Sequence, residues 1–155
     1  MSVDQQRDVH FMQQAISCAK QAEGYDEVPI GAVLVLEDKV ISTGWNQPRQ
    51  SVDPTAHAEL IALRQGASKI DNYRLVDTTL YVTIEPCLMC AGALVHARIK
   101  RLVFGASEPK AGAIVSHPVL QSDWLNHRPE VTGGVCADEC RSLMQNFFAR
   151  RREGN

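Results

Sequence analysis

Apolar residues recur at helical spacing near the N-terminus. Val9, Met12, Ala15, Ile16 and Ala19 fall on one face of an amphipathic helix that ends near Gly24. Residues 30–36 form a short apolar run rich in β-branched side chains. The polar trio Glu37-Asp38-Lys39 separates it from residues 40–45, and together they predict a hairpin. Asp53-Pro54 has the form of a cap and a first helical residue, which predicts a helix through Ala67. Residues 78–84 read as a strand, Pro86 as the start of a helix running to about Ala97, and residues 99–104 as another strand. Residues 105–134 contain Pro109, Pro118 and Pro129 and read as irregular, a natural place for binding loops. A final helix is expected over residues 137–151. Strands alternating with helices imply a mixed sheet with helices on both faces.

Composition narrows the class. The chain has 155 residues, 45% hydrophobic and 22% charged, with no repeat or linker, so residues 1–155 are expected to fold as one domain. A formal net charge of −2 argues against indiscriminate nucleic-acid binding and requires any RNA contact to use a local basic patch. The first seven residues are polar and no apolar run could span a bilayer, so no membrane association and a cytoplasmic location are expected. Five cysteines is an odd number, and two of them form a Cys-x-x-Cys; without an export signal this favours metal or redox use over disulfides. Cys18, Cys136 and Cys140 read as small buried residues.

The chemistry concentrates in two segments, His57-Ala58-Glu59 and Pro86-Cys87-Leu88-Met89-Cys90. A His-x-Glu followed by Pro-Cys-x-x-Cys is the signature of zinc-dependent nucleobase deaminases. His57, Cys87 and Cys90 supply three ligands for one Zn²⁺, and a tetrahedral ion then keeps one open position, as catalytic zinc sites do. Cys87 and Cys90 are three apart and share one face of a helix start, where the dipole favours thiolates. Two thiolates and an imidazole cancel most of the charge on the ion, so its water gains from a separate base. Glu59 is the carboxylate in the motif that can move protons between water, ring nitrogen and leaving ammonia. Glu59 lies about 200° around a regular helix from His57, so both reach one pocket only if the helix start forms its floor. Competing readings are a thioredoxin-like redox pair at Cys87 and Cys90, and a structural zinc with Glu59 as fourth ligand. Glu85 reads as a strand-end residue and His96 as a surface or packing histidine.

Longer blocks go beyond that signature. Thr55-Ala56-His57-Ala58-Glu59, residues 80–93, Val103-Phe104-Gly105-Ala106, residues 28–33, Asn72-Tyr73-Arg74-Leu75, Asn126-His127, Ala137-Asp138-Glu139-Cys140 and Phe147-Phe148 closely resemble bacterial tRNA-specific adenosine deaminases. The resemblance implies a three-layer α/β/α cytidine-deaminase-like fold with a mixed five-stranded sheet and a homodimer with one Zn²⁺ per subunit. It also implies hydrolytic conversion of the wobble adenosine in a tRNA anticodon stem-loop to inosine. Carried over by likeness, Asn46 would contact the flipped base, and Val28 and Pro29 would wall the pocket. Glu108 and Lys110 would touch the anticodon backbone, and Phe148 and Arg152 would lie near the RNA. The cluster Arg150-Arg151-Arg152 beside Phe147-Phe148 suits single-stranded loops, with Phe147 the core-facing member. The chain departs from the family at Gly112-Ala113-Ile114-Val115-Ser116, which carries bulkier residues than usual, and at Gln121-Ser122-Asp123-Trp124. A deaminase of a free base or nucleotide, of guanine or cytosine type, and a non-catalytic zinc-stabilised RNA-binding module are the remaining alternatives.

Overall fold

Residues 30–45 do become a hairpin, and the polar turn shows why. In the computed structural model, which describes residues 1–154, β1 (Gly31–Leu36) pairs antiparallel with β2 (Lys39–Trp45). The two linking residues, Glu37 and Asp38, both have positive φ (52° and 62°), the conformation that matches a two-residue turn to strand twist. The remaining elements are α1 (Val3–Gly24), α2 (Pro48–Ser51), α3 (Ala58–Ile70), β3 (Thr79–Ile84), α4 (Leu88–Ala97), β4 (Arg101–Ala106), β5 (Glu130–Thr132) and α5 (Ala137–Glu153). Strand order is β2-β1-β3-β4-β5, with β1 antiparallel to β2 and β3, and with β3, β4 and β5 parallel.

Strand periodicity sorts side chains between two cores. Ala32, Leu34, Leu80, Val82, Leu102 and Phe104 point to the face covered by α3 and α4. Their neighbours Val33, Val35, Tyr81 and Val103 point to the face packed by Met12, Ile16 and Cys140 of α1 and α5. Successive residues of a strand alternate faces, so an unbroken apolar run is what a strand buried on both sides requires. The three-layer fold with a mixed five-stranded sheet is therefore present. No helix among the described residues is long and apolar enough to cross a membrane.

Several expected boundaries move. Asp53-Pro54 does not open α3: the Asp53 carboxylate accepts from Thr55 N and Thr55 Oγ1 and forms a local turn. The helix waits until Ala58, whose N–H finds an acceptor in the side chain of Asn46, at the end of β2. β4 begins two residues later than expected. The fifth strand lies in the stretch read as irregular, which also holds a 3₁₀ turn at Val119–Gln121. Cys18 and Cys140 are buried as expected, whereas Cys136 is half-buried at the start of α5.

Two contacts position the later chemistry. At Gly44 of β2 an added Cβ would stand 2.4 Å from the carbonyl oxygen of Ala58, so α3 rides directly on the strand backbone. Across the sheet, Asp8 of α1 receives both terminal nitrogens of Arg101, at 2.8 and 2.7 Å, and the hydroxyl of Tyr81 at 2.8 Å. Burial pushes the Asp8 carboxyl up, but the hydrogen bonds from Arg101 and Tyr81 and the Arg101 charge outweigh it and leave it below its ordinary 3.8. A depressed carboxyl contributes stability above its unfolded pKa and loses it as pH falls through the folded value. Asp8→Asn should therefore cost about 2 kcal/mol at neutral pH, because Arg101 loses its charged partner. The gap between variant and wild type should close in thermal melts as pH falls below the ordinary carboxyl value of 3.8 and through the lowered folded one. A pH-independent gap would remove the ion pair from this account.

Candidate active site

The two halves of the motif meet at two helix starts. His57 is the N-cap of α3 and Cys87 the N-cap of α4, both in extended conformation, and Cys90 lies in the first turn of α4. Since His57 stands just outside its helix, its side chain and that of Glu59 can converge on one pocket, as the geometry required. His57 Nδ1 lies 3.6 Å from the sulfur of Cys87 and 3.6 Å from that of Cys90. These are the only three His, Cys, Asp or Glu residues among the described ones whose donor atoms cluster within 4.8 Å of one another. Tetrahedral zinc, with thiolates at about 2.3 Å and imidazole at about 2.0–2.1 Å, would set nitrogen and sulfur about 3.6 Å apart. The donors fit that ion.

The electrostatics agree. With protons alone, the hydrogen bond from Cys90 and that of His57 pull Cys87 down to about 3. Cys90 is pushed up because its thiol serves Cys87 and is buried, with the carboxyl of Glu59 adding to the effect. His57 is raised chiefly by its bond to Cys87. Two adjacent sulfurs therefore cannot both ionise without a cation between them. Glu59 is 4% exposed, and burial lifts its carboxyl above the usual range. Its carboxyl is not part of the three-residue donor cluster.

The pocket edge is built around Asn46. Asn46 is buried; its N–H bonds Ile30 O at 3.0 Å, and its Oδ1 accepts from Ala58 N at 3.1 Å. Asn46 is thereby tied to the start of α3 and to the segment that carries Val28 and Pro29. Its amide nitrogen makes no hydrogen bond among the described residues and is not sealed from solvent, so its donors are available to a ligand. Glu27, a residue for which the sequence raised no expectation, is buried and accepts from Arg49 N and Gln50 N, pinning α2 beside Asn46.

A groove of about 310 Å³ brings Glu108, Phe148 and Arg152 together with Ala106 and Met144, although the three lie on two distant segments. Phe148 is 41% exposed, while Phe147 is buried as expected. Lys110 is exposed on the same turn as Glu108 but does not line the groove. The basic cluster is divided: Arg150 pairs with Glu23, and Arg151 pairs with Asp26 and stacks over Phe147, leaving Arg152 at the groove. The three arginines are therefore not one open patch, because Glu23 of α1 and Asp26 in the turn after it engage two of them. His96 is exposed on α4, away from the metal cluster.

Residues 5–106 match the family described as the cytidine and deoxycytidylate deaminase zinc-binding region. The tRNA-specific adenosine deaminase of Haemophilus influenzae is 54% identical over 148 residues, spanning 94% of this chain and 86% of the relative. The tRNA-specific adenosine deaminase of Buchnera aphidicola subsp. Schizaphis graminum is 46% identical, spanning 94% and 97%. A solved structure from work on A-to-I editing by tRNA:A34 deaminases at the wobble position superposes with a TM-score of 0.85. It is 43% identical and covers 86% of this chain and 98% of that one. Guanine deaminase from Nitrosomonas europaea shares the fold, with a TM-score of 0.74 at 22% identity over 91% of this chain and 84% of that one.

Proposed function

The chain belongs to the tRNA-specific adenosine deaminase family, and from that membership we propose how its own residues perform the reaction. The protein is a zinc-dependent hydrolase that converts the wobble adenosine, position 34 of a tRNA anticodon, to inosine and ammonia. His57, Cys87 and Cys90 would hold the ion, which would supply a Lewis acid that makes a water more acidic. Glu59 takes one proton from the attacking water as the water oxygen adds to C6 of the adenine ring, and delivers the proton to N1. Glu59 then carries the second proton to the amino group, the C6–N6 bond breaks, and ammonia leaves. Water and adenosine thus balance inosine and ammonia. The observation that carries this reading is a buried carboxylate set beside three donors that leave a tetrahedral position free.

Asn46 offers its amide donors to the flipped base, and Val28 and Pro29 wall the pocket. The groove with Glu108, Phe148 and Arg152 receives the anticodon strand, with Lys110 on its rim. Anticodon bases are already unpaired, so extruding one costs little. Zinc-loaded protein incubated with adenosine-34 stem-loops and with free nucleosides and bases tests the reading. Inosine in the stem-loop supports it; turnover of free bases without inosine in any loop overturns it.

The remaining readings concern assembly. The chain acts as one domain in the cytoplasm, where tRNA is modified, without a membrane partner. Tyr73, Leu88 and Trp124 are exposed around one apolar face of α4 that continues over Val95 and Leu125. Apolar side chains gathered in one patch mark an interface, and we assign this one to a second copy of the chain. Gly92 supports a close approach there: a Cβ would meet nothing within 4 Å, so the fold itself does not use the glycine. A helical glycine costs about 0.8–1.0 kcal/mol against alanine, which a closely packed partner offsets. Light scattering should give twice the mass of the chain, and Trp124→Asp should shift it toward the monomer.

A further inference from the structure

Glu85 closes β3 two residues before Cys87, is 3% exposed, and has no role in the proton transfers above. Its carboxylate accepts five hydrogen bonds. Oε1 receives Glu108 N at 2.9 Å and Ser116 Oγ at 2.6 Å. Oε2 receives Ile114 N at 3.1 Å, Val115 N at 2.8 Å and Ser116 N at 2.9 Å. Bonds to an ionised acceptor are roughly twice as strong as neutral ones, and a carboxylate so enclosed has no lone pair left to act as a base. All five donors belong to one irregular stretch, residues 108–116. That stretch returns over the metal turn, with Ala113 N on Pro86 O at 2.8 Å and Gly112 bridged to Cys87.

Gly112 is an independent sign of the same arrangement. Its φ is not positive, so no turn demands a glycine, yet a Cβ there would stand 2.4 Å from the carboxyl carbon and Oε1 of Glu85. The glycine makes room for the carboxylate. The anchored stretch begins at Glu108, which lines the groove with Phe148 and Arg152, and includes Lys110. His57, Cys87, Cys90 and Glu59, by contrast, are held by the starts of α3 and α4.

We propose that Glu85 is the positioning residue for the RNA-facing loop, gathering the backbone N–H groups of residues 108–116 so that Glu108 and Lys110 meet the anticodon strand in a fixed shape. The proposal rests on the reading above that this loop contacts RNA. It predicts a split between binding and chemistry, because the carboxylate's five bonds all run to the loop, while the contacts of the loop with Pro86 and Cys87 are backbone to backbone and do not use it. Glu85→Gln replaces one acceptor oxygen with a donor facing other donors and loosens the loop.

The test uses zinc-loaded full-length protein and an adenosine-34 stem-loop. For Glu85→Gln we expect KM to rise about tenfold while the single-turnover rate at saturating RNA stays within about threefold, with zinc content unchanged. Amide exchange at residues 108 and 114–116 should accelerate. Ser116→Ala keeps the carboxylate and removes one donor, so it should raise KM by about two- to threefold and serves if the glutamine variant fails to fold. Loss of zinc or of the single-turnover rate with KM unchanged would overturn the proposal, as would wild-type KM in both variants. Wild-type protein that forms no inosine would instead overturn the substrate reading. Amide exchange would still report whether Glu85 holds the loop.

Discussion

Glu59→Gln should abolish useful turnover while leaving the protein folded and loaded with zinc. Glutamine keeps the shape and volume of the side chain but can neither accept the proton of the attacking water nor return it. Loss of a positioned acid–base group costs about 10²–10⁴-fold in rate. Zinc content should stay at one per chain, because Glu59 is outside the cluster of His57, Cys87 and Cys90. Burial already disfavours the charge on this 4%-exposed carboxyl, so the neutral variant should melt no lower than wild type. Single-turnover assays on an adenosine-34 stem-loop, metal analysis and thermal melts measure all three. An active glutamine variant would remove Glu59 from the proton path.

Removing the ion should cost stability as well as activity. Cys90 is wholly buried between α4 and the pocket, and its sulfur and that of Cys87 cannot both ionise without a cation. Metal held at about 100 times its dissociation constant adds about 2.7 kcal/mol to the folded state. For a chain of this length that corresponds to a Tm lowered by roughly 5–11 °C after chelation. Added zinc should restore both Tm and turnover in wild type. Cys90→Ser should contain well under one zinc per chain, melt low and show no rescue. An unchanged Tm after complete chelation would show that the fold does not depend on the site.

Site and scaffold differ in how far they could be read from the chain, for a physical reason. His57, Glu59, Cys87 and Cys90 were legible because metal ligands must be specific residue types, and each half of the motif spans only a few residues. The alternation in β1, β3 and β4 was legible because burial on both faces leaves an unbroken apolar run. The start of α3 was misread because its first free N–H is satisfied by Asn46, just past the end of β2, and local sequence cannot announce an acceptor twelve residues away. β5 was missed for a similar reason: it is three residues long, two of them exposed, and it exists only as a parallel partner to β4. Glu85 looked like a strand end because nothing in its neighbourhood indicates the five donors that arrive from residues 108–116. Arg150 and Arg151 looked free because their acidic partners lie more than a hundred residues away in α1 and the turn after it.

Gly44 carries a consequence for how this enzyme can change. The helix start that presents His57 and Glu59 rests on bare strand backbone, where a methyl group would stand 2.4 Å from the Ala58 carbonyl. Any side chain there lifts the start of α3, and displacements near 1 Å in a reacting group can cost about 10²-fold in rate. A strand position with no reactive group of its own is therefore constrained by the chemistry. Mutational surveys scored by activity and by protein abundance should disagree at Gly44, with activity lost before the fold.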